Sequence, residues 1–242
     1  MAVLNKMDPL VVVVTGTSRG LGRSLAEFFL KNNCQVAGCS RSESSIIHES
    51  YVHTILDLSD EKEVRSWIRN IRRKFQRIDV LICNAAMVQS ALFLSLTPGD
   101  LMESFLKTNI AGVFYPLREV SKQMASQASG RIIVISSTTT AVHQEGTSVY
   151  SATKAAVTEM IKILAKEVAT RGVTCNIIAP AMMRTESSHG LAESAEWELE
   201  MLKKQTIGRI ISQEEVCHVA KFLVSPLSSA ITGQVIYIGL SN

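Results

Sequence analysis

No apolar run in these 242 residues approaches the ~20 that a helix needs to span a bilayer. Charge of one sign is also scarce: the formal net charge is +3, and Lys and Arg are scattered along the chain. Their densest cluster, Arg69, Arg72, Arg73 and Lys74, has the spacing of a solvated helix face, not of a nucleic-acid surface. Cysteine is sparse and odd in number, with five residues (Cys34, Cys39, Cys83, Cys175 and Cys217) and no C-x2-C pair. That pattern excludes a disulfide framework and reads as small buried apolar side chains in a reducing cytoplasm. The five histidines show no ligand spacing, so no metal site is expected. Neither repeats nor linker-like runs interrupt the chain, and residues 1–242 are expected to form a single domain.

What the sequence does contain is Leu10-Val-Val-Val-Val-Thr15-Gly16-Thr-Ser18-Arg19-Gly20-Leu21-Gly22. Five consecutive apolar residues read as a strand buried on both faces. A helical pattern, Leu21, Leu25, Phe28 and Phe29, begins directly after the glycines. A strand, a glycine turn and a helix N-terminus together make an anion site, because backbone N–H groups and the helix dipole both favour a phosphate there. Gly16, Gly20 and Gly22 let the backbone turn tightly and lie close to a pyrophosphate. The spacing is G-x3-G-x-G, not that of the standard dinucleotide fingerprint, and a purely structural glycine turn is the alternative.

Further strands are expected at Cys34–Ser40, Tyr51–Asp57, Asp79–Asn84, Arg131–Ser137, Val173–Ile178 and Val235–Ile238. Helices are expected at Glu61–Phe75, from Thr97-Pro98 through Phe114, from Ser148 to about Arg171, and at Gln213–Leu223. Pro116 should kink or break the second of these. Strands that alternate with helices predict an α/β fold: one Rossmann-like, doubly wound parallel sheet of about seven strands with helices on both faces. Ligands then bind beyond the carboxyl ends of the strands, where Thr15, Ser40, Arg41, Asp57, Asn84, Ser137 and Pro180 fall.

Tyr150-Ser-Ala-Thr-Lys154 sets a phenol and an ammonium one helical turn apart, hence on one face. A nearby cation favours the phenolate, so Lys154 is expected to lower the Tyr150 pKa from about 10 toward neutrality. A tyrosine so tuned exchanges a proton with a carbonyl or alcohol oxygen. Ser137, at a strand end thirteen residues earlier, can grip the same oxygen if the loop folds back. Taken alone, a Tyr-x3-Lys pair is also what an ordinary surface helix presents.

The set as a whole, Thr15-Gly-x3-Gly-x-Gly22, Asn84-Ala, Asn109, Ser137, Tyr150-x3-Lys154 and Asn176-x3-Pro180, resembles the short-chain dehydrogenase/reductases in order and spacing from Leu10 to Ile238. The tail, with Gly208-Arg209, Glu214-Glu215-Val and Ile231-Thr-Gly-Gln-Val, is similar to the 3-oxoacyl-carrier-protein reductases among them. The resemblance implies Tyr150 as acid/base, Ser137 on the substrate carbonyl, Lys154 on the nicotinamide ribose, and Asn109 holding a water that links Lys154 to solvent. It implies cofactor contacts from Gly16, Ser18, Arg19, Gly20, Leu21, Gly22, Ser40, Arg41, Asp57, Leu58, Asn84, Pro180 and Thr185, besides Tyr150 and Lys154. Ser136, Thr138, Thr139 and Thr140 read as an ordinary polar loop.

The second strand ends at Ser40-Arg41, with no acid to hold a ribose 2′-hydroxyl, and Arg19 lies in the glycine turn. Two guanidiniums are thus placed to clamp a 2′-phosphate, which makes NADPH the expected cofactor. The resemblance further implies reduction of a β-keto acyl thioester in fatty-acid or polyketide synthesis, an acyl carrier protein as partner, and a homotetramer, with a dimer as alternative. A free small ketone, sugar or polyol is the rival substrate, and a silent NADPH-binding regulator or scaffold the reading from another class. Ala86, Ala181 and Leu240 depart from the family's glycines and should narrow the pocket. Arg171 matches a carrier-docking position, but Ala128 and Ser129 stand where its basic companion belongs. Residues 181–206, with Met182 and Met183, are expected to form a substrate lid.

Overall fold

Consecutive valines in a strand project alternately to both faces, so β1 (Val11–Thr15) needs an apolar layer on each side. The computed structural model, which describes residues 9–88, 92–184 and 195–240, supplies both. Val11 and Val13 face one layer, and Val12 and Val14 the other; all four are buried. After β1 come α1 (Gly20–Lys31), β2 (Gln35–Ser40), β3 (Tyr51–Ile55), α2 (Glu61–Phe75), β4 (Val80–Cys83) and α3 (Gly99–Phe105). They are followed by α4 (Gly112–Gln127), β5 (Gly130–Ile135), α5 (Thr139–Val142), α6 (Ser148–Val168) and β6 (Val173–Pro180). The last are α7 (Ala195–Lys203), α8 (Gln213–Val224) and β7 (Val235–Ile238).

The seven strands form one sheet in the order β3-β2-β1-β4-β5-β6-β7, and every pair is parallel. One layer draws Trp67 and Ile71 from α2, Leu117 and Val120 from α4, and Val157 and Ile161 from α6. The opposite layer draws Leu25 and Phe29 from α1 and Val216 and Leu223 from α8. This is the doubly wound sheet the alternation of patterns predicts. The chain winds outward from β1 to β3 and then returns to β1's other side as β4. Between those two strands the sheet has its switch point, where a crevice opens past the carboxyl ends. Among the described residues no helix is long and apolar enough to cross a membrane.

Several boundaries differ from the sequence-based expectation. The strand expected to reach Asp57 ends at Ile55, and the one expected to reach Ser137 ends at Ile135. Both differences leave polar residues in loops past the sheet, free to face the crevice. The helix expected from Thr97-Pro98 begins at Gly99, and α5 and α7 are additional. Pro116 does not break α4, which runs through it. The irregularity lies one turn earlier, where Leu106–Ala111 widen into a π-helical turn and the Gly112 N–H reaches back to the Lys107 carbonyl. Inserting a residue this way turns Asn109 inward, where it is 1% exposed.

Gly22, on the first turn of α1, is where helix, glycine turn and β4 converge. A Cβ there would strike the Gly16 carbonyl oxygen and the Asn84 amide. Replacing Gly22 with Ala should therefore lower stability by about 2 kcal/mol or more, a drop of roughly 4–8 °C in Tm for a domain of this size. Thermal unfolding followed by circular dichroism would read it; an unchanged Tm would mean that this convergence is slack.

Candidate active site

The glycine turn is fixed by its own backbone. Gly16 (φ +77°) and Gly20 (φ +56°) occupy the left-handed region, and the Gly16 and Thr17 N–H groups donate to the Cys39 carbonyl at 2.8 and 3.1 Å. Across the switch point, Thr15 Oγ1 accepts N–H bonds from Asn84 and Ala85, both at 3.0 Å. The Asn84 side chain donates to the Thr15 carbonyl at 3.0 Å. With those bonds made, the N-terminus of α1 is aimed into the crevice. Arg19 caps it without a side-chain hydrogen bond, and no acid stands in its first turn. Its exposed N–H groups and positive dipole end are left for an anion.

A cavity of about 840 Å³ runs from this turn past the ends of β2, β4 and β5. Of the residues expected to contact a cofactor, Gly16, Ser18, Arg19, Gly20, Leu21, Ser40, Arg41, Asp57, Leu58, Asn84, Tyr150, Lys154 and Pro180 line it. Gly22 does not; it is buried against Gly16 and Asn84 and acts through packing. Thr185 lies outside the described residues. Ala86, Ala181 and Leu240, expected to narrow the pocket, all line the cavity.

At the reactive end, α6 carries Tyr150 and Lys154 up beside the end of β5. Ser137 hydrogen-bonds the Tyr150 phenol. Its Oγ also accepts from the Thr139 N–H at 3.2 Å and the Thr139 hydroxyl at 3.1 Å. With its lone pairs so occupied, Ser137 has its own proton left to turn toward the phenol oxygen. Thr139, which holds Ser137, reads from the sequence alone as ordinary polar loop. The Ser137-x-Thr139 spacing, a hydroxyl two residues before an N–H, is the signal that could have found it.

Asn109 is expected to work in a relay, but its side chain does not reach the cavity. Its Oδ1 accepts from the Met87 N–H at 2.7 Å, and its Nδ2 donates to the Met87 carbonyl and to Thr153 Oγ1, both at 3.1 Å. Thr153 in turn donates to the Tyr150 carbonyl at 2.7 Å. Asn109 thus positions the helix that carries the phenol. Phe105 packs edge-on against the Tyr150 ring, with centroids 6.4 Å apart. Of the segment expected as a lid, residues 185–194 lie outside the described ones. Within its described part, Lys204 donates to Gln144 at 2.9 Å and Gln205 holds the Met182 N–H at 2.7 Å.

The electrostatics correct one expectation. Lys154 does not lower the Tyr150 pKa here; desolvation pushes the phenol up to about 12, against the smaller downward pull of the Ser137 bond. The reason is geometric. The ammonium is aimed at the Ile135 carbonyl, 2.8 Å away, and lies 5.8 Å from the centre of the phenol ring. Lys154 is 5% exposed, and burial lowers its own pKa to about 8. Between pH 8 and 10.5 the unfolded chain therefore holds a proton that the folded chain has released, so this group's contribution to stability rises with pH across that window. Measured against Lys154→Met, the wild-type chain should gain roughly 3 kcal/mol of relative stability over those pH values in urea unfolding. A gap that stays constant or shrinks would show the ammonium to be well solvated.

The sequence profile of the family described as short chain dehydrogenase matches residues 10–196, which include the glycine turn, Ser137, Tyr150 and Lys154. The 3-oxoacyl-[acyl-carrier-protein] reductase FabG of Salmonella typhimurium is 30% identical over 234 residues, covering 94% of this chain and 95% of that protein. FabG of Chlamydia pneumoniae is 31% identical over 238 residues, 94% of each. The solved structure of ElxO with NADP bound is similar with a TM-score of 0.88 at 30% identity, over 95% of this chain and 97% of that one. Fold, cavity and matched span agree, and the chain belongs to the short-chain dehydrogenase family.

Proposed function

We propose that this chain is a cytoplasmic, NADP(H)-dependent ketoreductase that reduces the β-keto group of an acyl thioester, presented by an acyl carrier protein, to a β-hydroxyl. The observation that carries this reading is the hydroxyl chain from Thr139 through Ser137 to Tyr150, with Lys154 one turn along, at the wall of a cavity that reaches two guanidiniums at its other end. The uncapped α1 N-terminus fits a pyrophosphate, and Arg19 and Arg41 fit a 2′-phosphate where no carboxylate ends β2. Asp57 and Leu58 would hold the adenine end, and Lys154 and Tyr150 the nicotinamide ribose. When bound, the dinucleotide supplies a hydride for a carbonyl carbon.

The chain supplies the proton. Tyr150 keeps it at neutral pH, since its pKa stands near 12, and so serves as donor in the reductive direction. On substrate binding Ser137 would turn its proton from the phenol to the carbonyl oxygen, and Lys154 would hold the nicotinamide ribose. Met182 and Met183 line the cavity and suit an apolar acyl chain, while Ala86 and Ala181 limit its width. The FabG relatives, named as 3-oxoacyl-carrier-protein reductases, favour the thioester over a free ketone. A homotetramer is the assembly we propose, built on α4 and α6, whose Phe114 and Ile163 are exposed.

Acetoacetyl thioester and NADPH should show loss of reduced-nicotinamide absorbance with wild-type protein. Tyr150→Phe should lower kcat by about 10²–10⁴-fold while NADPH still binds. Turnover confined to free ketones or polyols would select the rival substrate class, and a fully active Tyr150→Phe would remove the phenol from the mechanism. Reductive kcat/KM should be level below pH 8 and fall above it, as Lys154 loses at about that pH the charge with which it would hold the nicotinamide ribose. A rate that climbs through pH 8 would contradict this role for Lys154.

A further inference from the structure

The edge strand β3 carries a side-chain cluster that none of these roles uses. Tyr51 and His53 sit two residues apart on β3, hence on one side of the sheet, and lean over β2 at Gly38, the register partner of His53. A Cβ on Gly38 would strike both Thr17 Oγ1 and the Tyr51 hydroxyl, so only glycine lets these groups meet. Tyr51 donates to Thr17 Oγ1 at 2.8 Å. His53 Nδ1 lies 3.0 Å from the Tyr51 oxygen and 3.3 Å from Thr17 Oγ1. Its other nitrogen, Nε2, lies 3.0 Å from the Ser42 carbonyl oxygen and 3.1 Å from Ser40 Oγ.

The directions of these bonds can be assigned. A carbonyl only accepts, so Nε2 carries a proton. Ser40 donates to the same carbonyl at 2.7 Å, which leaves its oxygen to accept from Nε2. Nδ1 then accepts, from the Tyr51 hydroxyl at 3.0 Å or the Thr17 hydroxyl at 3.3 Å. The imidazole thus bridges two separate walls of the cavity. One is the glycine turn, in which Thr17 stands two residues before Arg19. The other is the turn Ser40-Arg41-Ser42, all three of which line the cavity.

We infer that His53 is a specificity-determining positioning residue. Through Nε2–H it holds the Ser40-Arg41-Ser42 turn in the shape that receives a 2′-phosphate, and through Nδ1 it sets that turn's distance from the glycine turn bearing Arg19. The inference rests on the NADP(H) reading and deepens it. A phosphate dianion is recognised by several donors at once, and its affinity falls when they must be ordered on binding. A bare 2′-hydroxyl makes no such demand of this turn. Loss of the bridge should therefore weaken NADPH and spare NADH.

Fluorescence titration of the chain with NADPH and with NADH, without substrate, reads this directly. Wild-type protein should bind NADPH more tightly. His53→Val should raise the NADPH Kd about tenfold and leave the NADH Kd within about twofold, the scale of one lost hydrogen bond. His53→Gln, whose amide N–H can replace Nε2–H, should restore most of the preference. If His53→Val does not fold, Tyr51→Phe removes one hydroxyl from the Nδ1 side and should weaken NADPH alone, by about threefold. Equal weakening of both dinucleotides, or an unchanged ratio in folded variants, overturns the inference while the NADP(H) reading stands. Wild-type protein with no preference for NADPH overturns the reading and the inference together.

Discussion

Backbone polar groups at the carboxyl ends of parallel strands have no partner in the sheet, and the site depends on how this chain satisfies them. At the switch point β1 and β4 part company, and nothing in the ladder holds their ends together. Thr15 does so with one hydroxyl oxygen that accepts two N–H bonds from β4's continuation, while Asn84 returns a bond to the Thr15 carbonyl. The crevice is therefore rigid on its inner side. Gly22 can pack beneath it, and α1 can present its uncapped end to the opening. Without that tie the glycine turn would have no fixed wall to close against.

The reactive end solves a different problem, that of placing a phenol and an ammonium together out of water. Burial opposes the charged form of both, raising one pKa and lowering the other. Each polar atom accordingly has a fixed partner: Ile135 for the ammonium, Ser137 for the phenol, Thr139 for Ser137. Such a network resists collapse, because removing one member leaves the next unsatisfied in a low-dielectric setting. It also keeps the phenol protonated at neutral pH.

Much of this was legible in the sequence, for identifiable reasons. The valine run, the glycine turn and the Tyr150–Lys154 pair are local patterns whose meaning depends on strand and helix periodicity alone. The sheet followed from the alternation of such patterns along the chain, and the cavity lining from the resemblance to the short-chain dehydrogenase/reductases. What could not be read were relations between distant segments. The direction of the Lys154 ammonium depends on the Ile135 carbonyl, nineteen positions earlier, so a spacing rule suggested a phenolate that the geometry does not favour. The side-chain task of Asn109 depends on Met87 and Thr153, which no motif connects to it. His53 carried no signal of its own in the sequence because partners of its ring come from the glycine turn and from the loop after β2.

The widened turn at Leu106–Ala111 sets the rotational phase between α3 and α4. Each residue of a regular helix advances the side-chain direction by about 100°, so one residue too many in this turn offsets everything before it relative to everything after. Excising a single residue here would heal the helix into ordinary geometry and swing α3 around its own axis. Phe105 would leave the Tyr150 ring, and the amide of Asn109 would rotate away from α6. Length in this segment is consequently as constrained as identity.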